Sequence, residues 1–366
     1  MCKITPKTIH KQINMTLEHK KKSLVELGKF LSQFHIEKST PNPEVLKNDL
    51  FYTDFLALIE LSQSHNGWYT PENVYFAINS WAEALTENNL NLWLANYNFD
   101  NVNPKTVGLI LAGNIPLVGF HDFICVLLSG HKVQVKTSSN DQMLLPFLAN
   151  YLTSIEPELL NFIEFSDGKL TDFDAVIATG SNNTARYFEY YFKDKPSIIR
   201  KNRNSVAVLN GSESKEDFEA LGEDIFRYFG LGCRNVSKIF VPKGYIFDSF
   251  FEGIFKYQDV IHYEKYANNY DYNKAVFLMS NFKLLDNGFL TIKEDASYSS
   301  PISSVFYEFY DDLETLKSKF TSEEEQIQCI VSNNLVPRSI SFGKTQKPDL
   351  WDYADNVDTI RFLSSI

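Results

Sequence analysis

The chain has 366 residues, a length typical of two domains or of one large α/β unit. Hydrophobic residues make up 44% of it and the formal net charge is −11, so it can build a substantial core but has no broad basic surface for phosphates. The basic cluster at residues 19–22 predicts a solvated helix face. We therefore expect a globular protein that does not bind nucleic acid.

Targeting, disulfide and metal signals are not found in the sequence. No apolar run reaches the roughly 18 residues that a membrane helix needs, and the N-terminal residues lack the apolar core of a signal peptide. The four cysteines show no paired spacing, which favours a reducing compartment. Neither Cys-x-x-Cys nor His-Glu-x-x-His occurs. We expect a cytoplasmic protein with no integral membrane segment and no metal.

The N-terminal part, residues 1–100, predicts helices. Residues 13–34 carry apolar side chains at roughly helical spacing. Thr70 followed by Pro71 is typical of an N-cap and the first helical position, and predicts a helix to about residue 85. We assign this part to the N-terminal side of a cofactor domain.

From residue 101 the pattern changes to alternating strands and helices. Short apolar runs at 107–111 and 132–136 flank an apolar segment of helical length, 117–128, and Gly130 fits a helix C-cap. This is a βαβ unit, the building block of a parallel sheet with helices outside. A strand at 173–178 and a helix at 184–192 repeat the order.

These elements predict an α/β fold with two domains. A Rossmann-like nicotinamide-cofactor domain is expected at 101–209, ending with a strand at 205–209. A second α/β domain is expected at 210–340, in which a helix at 215–229 leads to Cys233 and a strand at 238–241 follows. Residues 341–366 form a C-terminal tail.

Cys233 carries the strongest chemical signal. It follows Gly230-Leu231-Gly232, so its backbone can turn sharply and let a substrate approach. A thiolate is the nucleophile, and a free thiol of pKa about 8.5 needs activation at neutral pH. A buried structural cysteine fits the motif equally well. Cys125 and Cys329 lie in apolar segments and predict buried thiols, and Cys2 carries no functional signal.

Asn114 is the second candidate, in the turn after the strand at 107–111. Ligands gather at the carboxyl ends of strands in Rossmann-type sheets. An amide there could stabilise an oxyanion, a role worth about 3 kcal/mol when one donor is lost. A plain turn asparagine is the alternative.

Together, four segments in the same order resemble the aldehyde dehydrogenase superfamily. The resemblance implies that Asn114 serves the oxyanion hole and that Cys233 is the nucleophile. It also implies a cofactor site formed by Lys136 and Ser139 at the adenosine ribose and by Thr179, Gly180 and Ser181 at the pyrophosphate and nicotinamide. The segments are Gly113-Asn114-Ile115-Pro116-Leu117, Val133-Gln134-Val135-Lys136-Thr137-Ser138-Ser139, Ala178-Thr179-Gly180-Ser181, and Gly232-Cys233 with Lys238-Ile239-Phe240-Val241.

Two departures from the superfamily pattern define the expected reaction. Ile199 stands where hydrolytic members carry the glutamate that activates water, so an acyl group on Cys233 would resist hydrolysis. Ser139 replaces the glutamate that holds the adenosine ribose, which makes NADPH acceptable and leaves NADH tolerated.

Within the superfamily the chain looks most like the fatty acyl-CoA reductases of the LuxC type. The segments Asn66-Gly67-Trp68-Tyr69-Thr70-Pro71-Glu72-Asn73-Val74 and, in the tail, 342–346 and 352–359 carry this resemblance. It implies NADPH-dependent reduction of an acyl-CoA to a fatty aldehyde through an acyl-cysteine. His121 and His262 are candidates for the proton donor to the CoA thiolate.

Two other functions remain open. An acyl-phosphate reductase of the same superfamily would need cations, and Arg200, Lys201, Arg203 and Arg234 are near the motifs. A non-catalytic dinucleotide-binding protein is the second alternative. The acyl chain length, the preference between NADPH and NADH, and the oligomeric state are not determined by the sequence. A homo-oligomer or an acyl-transfer partner enzyme is compatible with it.

Overall fold

The computed structural model describes residues 15–100, 102–280 and 282–366. Cys2 and the start of the helical pattern at residue 13 therefore lie outside the described residues. The predicted N-terminal helices are present, and Thr70 caps the third one by accepting the Asn73 N–H, with Pro71 at its first position. The four helices are α1 (Leu17–Leu31), α2 (Asn48–His65), α3 (Pro71–Ala84) and α4 (Glu87–Leu94).

The first sheet is fully parallel, with strand order β3-β2-β1-β4-β5. The chain moves from β1 out to β3 and then returns to the other side of β1, so the strand order reverses between β1 and β4. Ligands of open α/β sheets bind at such a switch point, beside the carboxyl ends of the strands. In chain order the elements are β1 (Thr106–Ile110), α5 (Phe120–Leu128), β2 (Lys132–Lys136), α6 (Leu144–Ile155), β3 (Ile163–Phe165), β4 (Ala175–Thr179), α7 (Asn182–Tyr191) and β5 (Ser197–Arg200).

The second sheet has the order β11-β6-β7-β10-β9-β8, with β8 antiparallel and the other strands parallel. Together the two sheets confirm the predicted α/β fold class. The elements are β6 (Asn204–Val208), α8 (Lys215–Phe226), β7 (Val236–Pro242), α9 (Asp248–Ile254), α10 (Glu264–Met279), β8 (Leu284–Asp286), β9 (Thr291–Glu294), β10 (Ser304–Tyr310), α11 (Leu313–Ser322), β11 (Ile327–Val331) and α12 (Thr359–Ser364).

The chain passes from the first sheet to the second at residues 201–203, between β5 and β6. The strand that we expected at the end of the cofactor region therefore pairs with β7 and β11 in the second sheet. Its apolar pattern predicts a buried strand but does not determine which strands it pairs with. The division of the chain into domains at 209 and 210 stays a prediction.

Two helices differ in extent from their predictions. The helix expected from residue 117 begins at Phe120, because Leu117 has a left-handed backbone (φ 57°) and 116–119 form a turn. The helix expected to reach residue 229 ends at Phe226, because Tyr228 and Phe229 are also left-handed (φ 54° and 57°). Both departures lie next to the candidate site.

The C-terminal residues run across the first sheet, where α12 contributes the buried Ile360 and Leu363 to its core. We call residues 343–358 the C-terminal strap. Arg200 of β5 fastens it with a 2.7 Å hydrogen bond from Nη1 to the Ala354 carbonyl. The same guanidinium binds Asp122 of α5 in a bidentate pair, at 3.1 and 2.6 Å. This pair joins the sheet, a helix and the strap.

Within the described ranges, no helix is long and apolar enough to span a bilayer.

Candidate active site

Cys233 lies in the loop between α8 and β7, and its backbone is fixed from several sides. Asn235 Oδ1 accepts the Gly232 N–H at 2.8 Å, and its Nδ2 donates to the Arg227 carbonyl at 2.8 Å. Ser205 Oγ donates to the Cys233 carbonyl at 3.0 Å. Asn235 is 3% exposed, so both ends of its amide are committed to the loop. Asn235 was not predicted from the sequence, since an asparagine two residues after a cysteine has no distinctive pattern.

The start of this loop carries backbone strain. Tyr228 and Phe229 are consecutive left-handed residues other than glycine, a conformation that costs of the order of 1 kcal/mol or more each. Asn73 Oδ1 accepts the Tyr228 N–H at 3.3 Å, and the Phe229 ring stacks on Tyr263 at 4.7 Å between centroids. These contacts stabilise a turn that the local sequence alone disfavours.

The structure brings Asn114 to the Cys233 loop. Asn114 Nδ2 donates to the Leu231 carbonyl at 2.7 Å, two residues before the cysteine. One N–H of the amide is used in this bond, and the other is available to an oxyanion. The role in an oxyanion hole stays a prediction.

The N-terminal signature around residue 66 supports the Asn114 turn. Asn66 Nδ2 donates to the carbonyls of Gly113 and Asn140, each at 3.3 Å. Tyr69 Oη donates to the Ile115 carbonyl at 3.0 Å. The signature residues therefore hold the turn from both sides, a function that could not be read from their spacing.

A cavity of about 280 Å³ opens beside Cys233 and makes this residue solvent-accessible. Its walls come from α3, the turn at 115–118, the Cys233 loop and the C-terminal strap. Most of the exposed lining surface is apolar and comes from Ala77, Trp81, Ala84, Ile115, Pro116, Leu117, Val118, Pro348, Leu350, Trp351 and Ala354. Nine polar or charged side chains complete the lining: Ser80, Glu83, Asn89, His121, Arg234, Gln346, Lys347, Asp349 and Asp352. A mostly apolar surface with converging polar groups is typical of a site for a ligand that has a hydrophobic part.

The surroundings of the Cys233 thiol favour its protonated form. Although the cavity reaches the residue, the surrounding protein atoms desolvate the sulfur and raise its pKa to about 11. The nearby Cys329 also raises this pKa, and the cation of Arg234 lowers it. With this pKa, about one molecule in ten thousand carries the thiolate at pH 7.

We expect alkylation of Cys233 by iodoacetamide to accelerate about tenfold per pH unit between pH 7 and pH 10, because only the thiolate reacts. Intact-protein mass spectrometry of the cofactor-free protein measures the rate. The Cys233→Ser variant controls for the buried Cys125 and Cys329. A rate that levels off below pH 8 would contradict a raised pKa.

The structure separates the two histidines considered as proton donors. His121 lines the cavity, and its Nε2 donates to the Leu350 carbonyl at 2.8 Å. Burial lowers its pKa, so the ring is neutral at neutral pH. His262 is 80% exposed beside Asp259 and is not among the residues that line the cavity.

The residues expected to bind the cofactor follow the carboxyl ends of β2 and β4. Lys136 is the last residue of β2, and the exposed Ser139 follows it. Thr179 ends β4, and Ser181 caps α7 by accepting the Thr184 N–H at 3.3 Å. A helix N-terminus at the switch point fits the phosphates of a dinucleotide. These roles stay predictions.

Gly180 is required for the close approach of α7 to β4. A Cβ at this position would lie 3.0 Å from Thr184 Cβ and 3.1 Å from Phe188.

We expect Gly180→Val to weaken NADPH binding by about tenfold or more, because the start of α7 must shift. Fluorescence titration measures the affinity, with Gly168→Val as control, since nothing lies within 4 Å of a Cβ at Gly168. Equal affinities of both variants would contradict a cofactor site here.

Three of the four cations considered for an acyl phosphate have acidic partners. Arg200 binds Asp122, Lys201 lies 2.6 Å from Glu189, and Arg203 lies 3.4 Å from Asp355. Arg234 lines the cavity and donates to the carbonyls of Thr345 and Asp352 and to Cys329 Sγ. The basic pocket that a phosphate needs is therefore not assembled from this set.

Comparison with known families and solved structures agrees with this architecture. Residues 87–248 match the family model described as acyl-CoA reductase (LuxC). Aldehyde dehydrogenase 21 from Physcomitrella patens, solved with the reaction product succinate, superposes with a TM-score of 0.62 at 14% identity, over 88% of this chain and 75% of that chain. The protein has the aldehyde dehydrogenase fold. Its resemblance to that superfamily, close to the LuxC reductases, is confirmed.

Other solved aldehyde dehydrogenases give the same result. The NAD-dependent enzyme from Sinorhizobium meliloti has a TM-score of 0.61 at 12% identity, covering 93% of this chain and 73% of that chain. The Bacillus cereus enzyme, solved as an NAD⁺ complex, has a TM-score of 0.58 at 12% identity, covering 87% and 72%. No curated protein sequence matches this chain. The family match and the aldehyde dehydrogenase fold support an oxidoreductase that acts on aldehyde or acyl substrates.

Proposed function

We propose that the protein reduces a fatty acyl-CoA to the aldehyde with NADPH, through an acyl group bound to Cys233. The observation that carries the proposal is the position of Cys233 on the wall of a cavity whose other walls are mostly apolar. The family model adds support, because its match over residues 87–248 includes both Asn114 and Cys233.

In the first half-reaction the Cys233 sulfur attacks the thioester carbonyl. The second N–H of Asn114 and the backbone N–H of Cys233 stabilise the oxyanion. The carbon–sulfur bond to CoA then breaks, and the CoA thiolate takes up the proton that the cysteine released. The products are an acyl-Cys233 thioester and free CoA. The apolar walls of the cavity keep the acyl chain out of water while the acyl group moves from CoA to Cys233.

In the second half-reaction the acyl group leaves by reduction. Lys136, Ser139 and residues 179–181 would hold the dinucleotide, which supplies the hydride to the carbonyl carbon. With one proton from solvent the thioester becomes a thiohemiacetal, whose collapse releases the aldehyde and restores the Cys233 thiol. Ile199, paired with Ala178 in the sheet, offers no carboxylate at the position of the water-activating glutamate of hydrolytic superfamily members, so we expect reduction to outpace hydrolysis.

The test is to follow NADPH absorbance with hexadecanoyl-CoA and to trap the aldehyde product. We expect consumption of one NADPH per aldehyde, and slower or equal turnover with NADH. Hexadecanoyl phosphate serves as the competing substrate in a parallel assay. Preference for the phosphate would favour the acyl-phosphate reductase, and binding of NADPH without turnover of either substrate would favour a non-catalytic protein.

A further inference from the structure

A second cavity of about 360 Å³ shares one wall residue, Trp351, with the cavity beside Cys233. Because Trp351 belongs to the walls of both cavities, the two cavities adjoin at this residue. The wall of the second cavity presents the apolar surfaces of Leu92, Trp93 and Tyr97, together with Asn96 and Arg361.

Two other rings in the walls of these cavities, those of Trp93 and His121, are fixed by their contacts. Trp93 is 2% exposed, and its Nε1 donates to Tyr353 Oη at 2.8 Å. Its ring stacks on His121 at 5.2 Å between centroids, and His121 in turn binds the Leu350 carbonyl. These two rings therefore have little freedom to move.

Trp351 differs from them. Trp351 is 40% exposed and lies in the C-terminal strap, which forms one wall of the Cys233 cavity. In the part of the chain that the structure describes, no aromatic ring stacks on its indole and its Nε1 donates to no protein acceptor. A rotamer change of Trp351 thus breaks no specific interaction.

We propose that Trp351 is a gate that sets the acyl chain length, and that the second cavity binds the distal methylene segment of long chains. The inference rests on the proposed function. A chain whose thioester lies at Cys233 fills the first cavity, and a longer chain turns Trp351 aside and continues against Leu92, Trp93 and Tyr97. The Trp351 wall shared with the Cys233 cavity and the apolar side chains of Leu92 and Trp93 select this occupant. Each further methylene that is buried there lowers KM about fourfold.

The test compares kcat/KM for saturated acyl-CoA substrates from octanoyl-CoA to eicosanoyl-CoA. In Trp351→Ala, where the gate is removed, we expect the optimum to shift to longer chains. Trp351→Phe keeps a smaller ring and shifts the optimum less. An unchanged profile for a folded Trp351→Ala protein would overturn the gate.

A second variant tests the cavity itself and does not depend on the folding of Trp351→Ala. Leu92 is 57% exposed, and Leu92→Trp fills the second cavity, so it should lower the ratio of long-chain to short-chain kcat/KM at least about tenfold. In the double variant Trp351→Ala/Leu92→Trp, the Leu92→Trp change should cancel the shift toward longer chains that Trp351→Ala produces. Leu160→Trp, at a leucine 66% exposed and outside both cavities, is the control.

An equal chain-length profile for Leu92→Trp and Leu160→Trp would overturn the inference. If the unsubstituted protein reduces no acyl-CoA of any length, the proposed function fails instead. The two failures are therefore distinguishable.

Discussion

Cys233→Ala is expected to lower acyl-CoA-dependent oxidation of NADPH by at least about a thousandfold, because alanine cannot form the acyl-enzyme. The affinity for NADPH should stay close to that of the unsubstituted protein, since the cofactor site that we propose follows β2 and β4 and does not include the Cys233 loop. The assay is single-turnover kinetics with hexadecanoyl-CoA, followed by intact-protein mass spectrometry.

The acyl adduct provides an independent readout for Cys233. Without NADPH, the unsubstituted protein should accumulate one hexadecanoyl group, located on the peptide that contains Cys233. Cys329→Ala is the matched control, because Cys329 is a neighbouring but buried cysteine. A hexadecanoyl adduct retained by Cys233→Ala, or lost in Cys329→Ala alone, would contradict the assignment.

The second large effect concerns stability. Arg200→Met is expected to reduce the free energy of unfolding by about 3–5 kcal/mol, because it leaves the Asp122 carboxylate buried without its cation. Arg200 is 5% exposed, and its loss also removes the bonds to the Ala354 carbonyl and to Thr359 Oγ1, at 2.7 and 3.0 Å. The change is measured by urea denaturation.

The neighbouring residue supplies the control for Arg200. Lys201 forms a 2.6 Å ion pair with Glu189 in which both side chains are about half exposed, so Lys201→Met should change stability by less than about 1 kcal/mol. The double variant Arg200→Met/Asp122→Leu should recover part of the lost stability, because it removes the unpaired charge. Equal effects of Arg200→Met and Lys201→Met would show that the buried pair does not stabilise the fold.

Local patterns were sufficient for much of the fold. Buried strands are short apolar runs, and helix ends carry caps such as Thr70 and Gly130, so the order of elements follows from neighbouring residues. Ser181 is likewise a helix cap, at the start of α7. Because each motif occupies a few consecutive residues next to a strand end, the candidate residues of the site could be named before their contacts were known.

Contacts between distant segments were decided by the tertiary structure. Arg200 was a candidate for a phosphate from sequence, but the topology places it against Asp122, 78 residues away. Asn235 and Asn73 act through backbone groups of the Cys233 loop, and a backbone partner leaves no sequence pattern. The left-handed turn at Tyr228 opposes local propensity, so contacts with distant segments stabilise it.

The sequence by itself determined the reactive cysteine candidate, the alternation of strands and helices around it, and the resemblance to the aldehyde dehydrogenases. Only the tertiary structure decided that β6 pairs in the second sheet and that the C-terminal strap forms one wall of the cavity beside Cys233. The physical reason is the range of the interactions. Caps, turns and periodicity act within one or two turns of chain, whereas cavity walls form where segments hundreds of residues apart exclude water together.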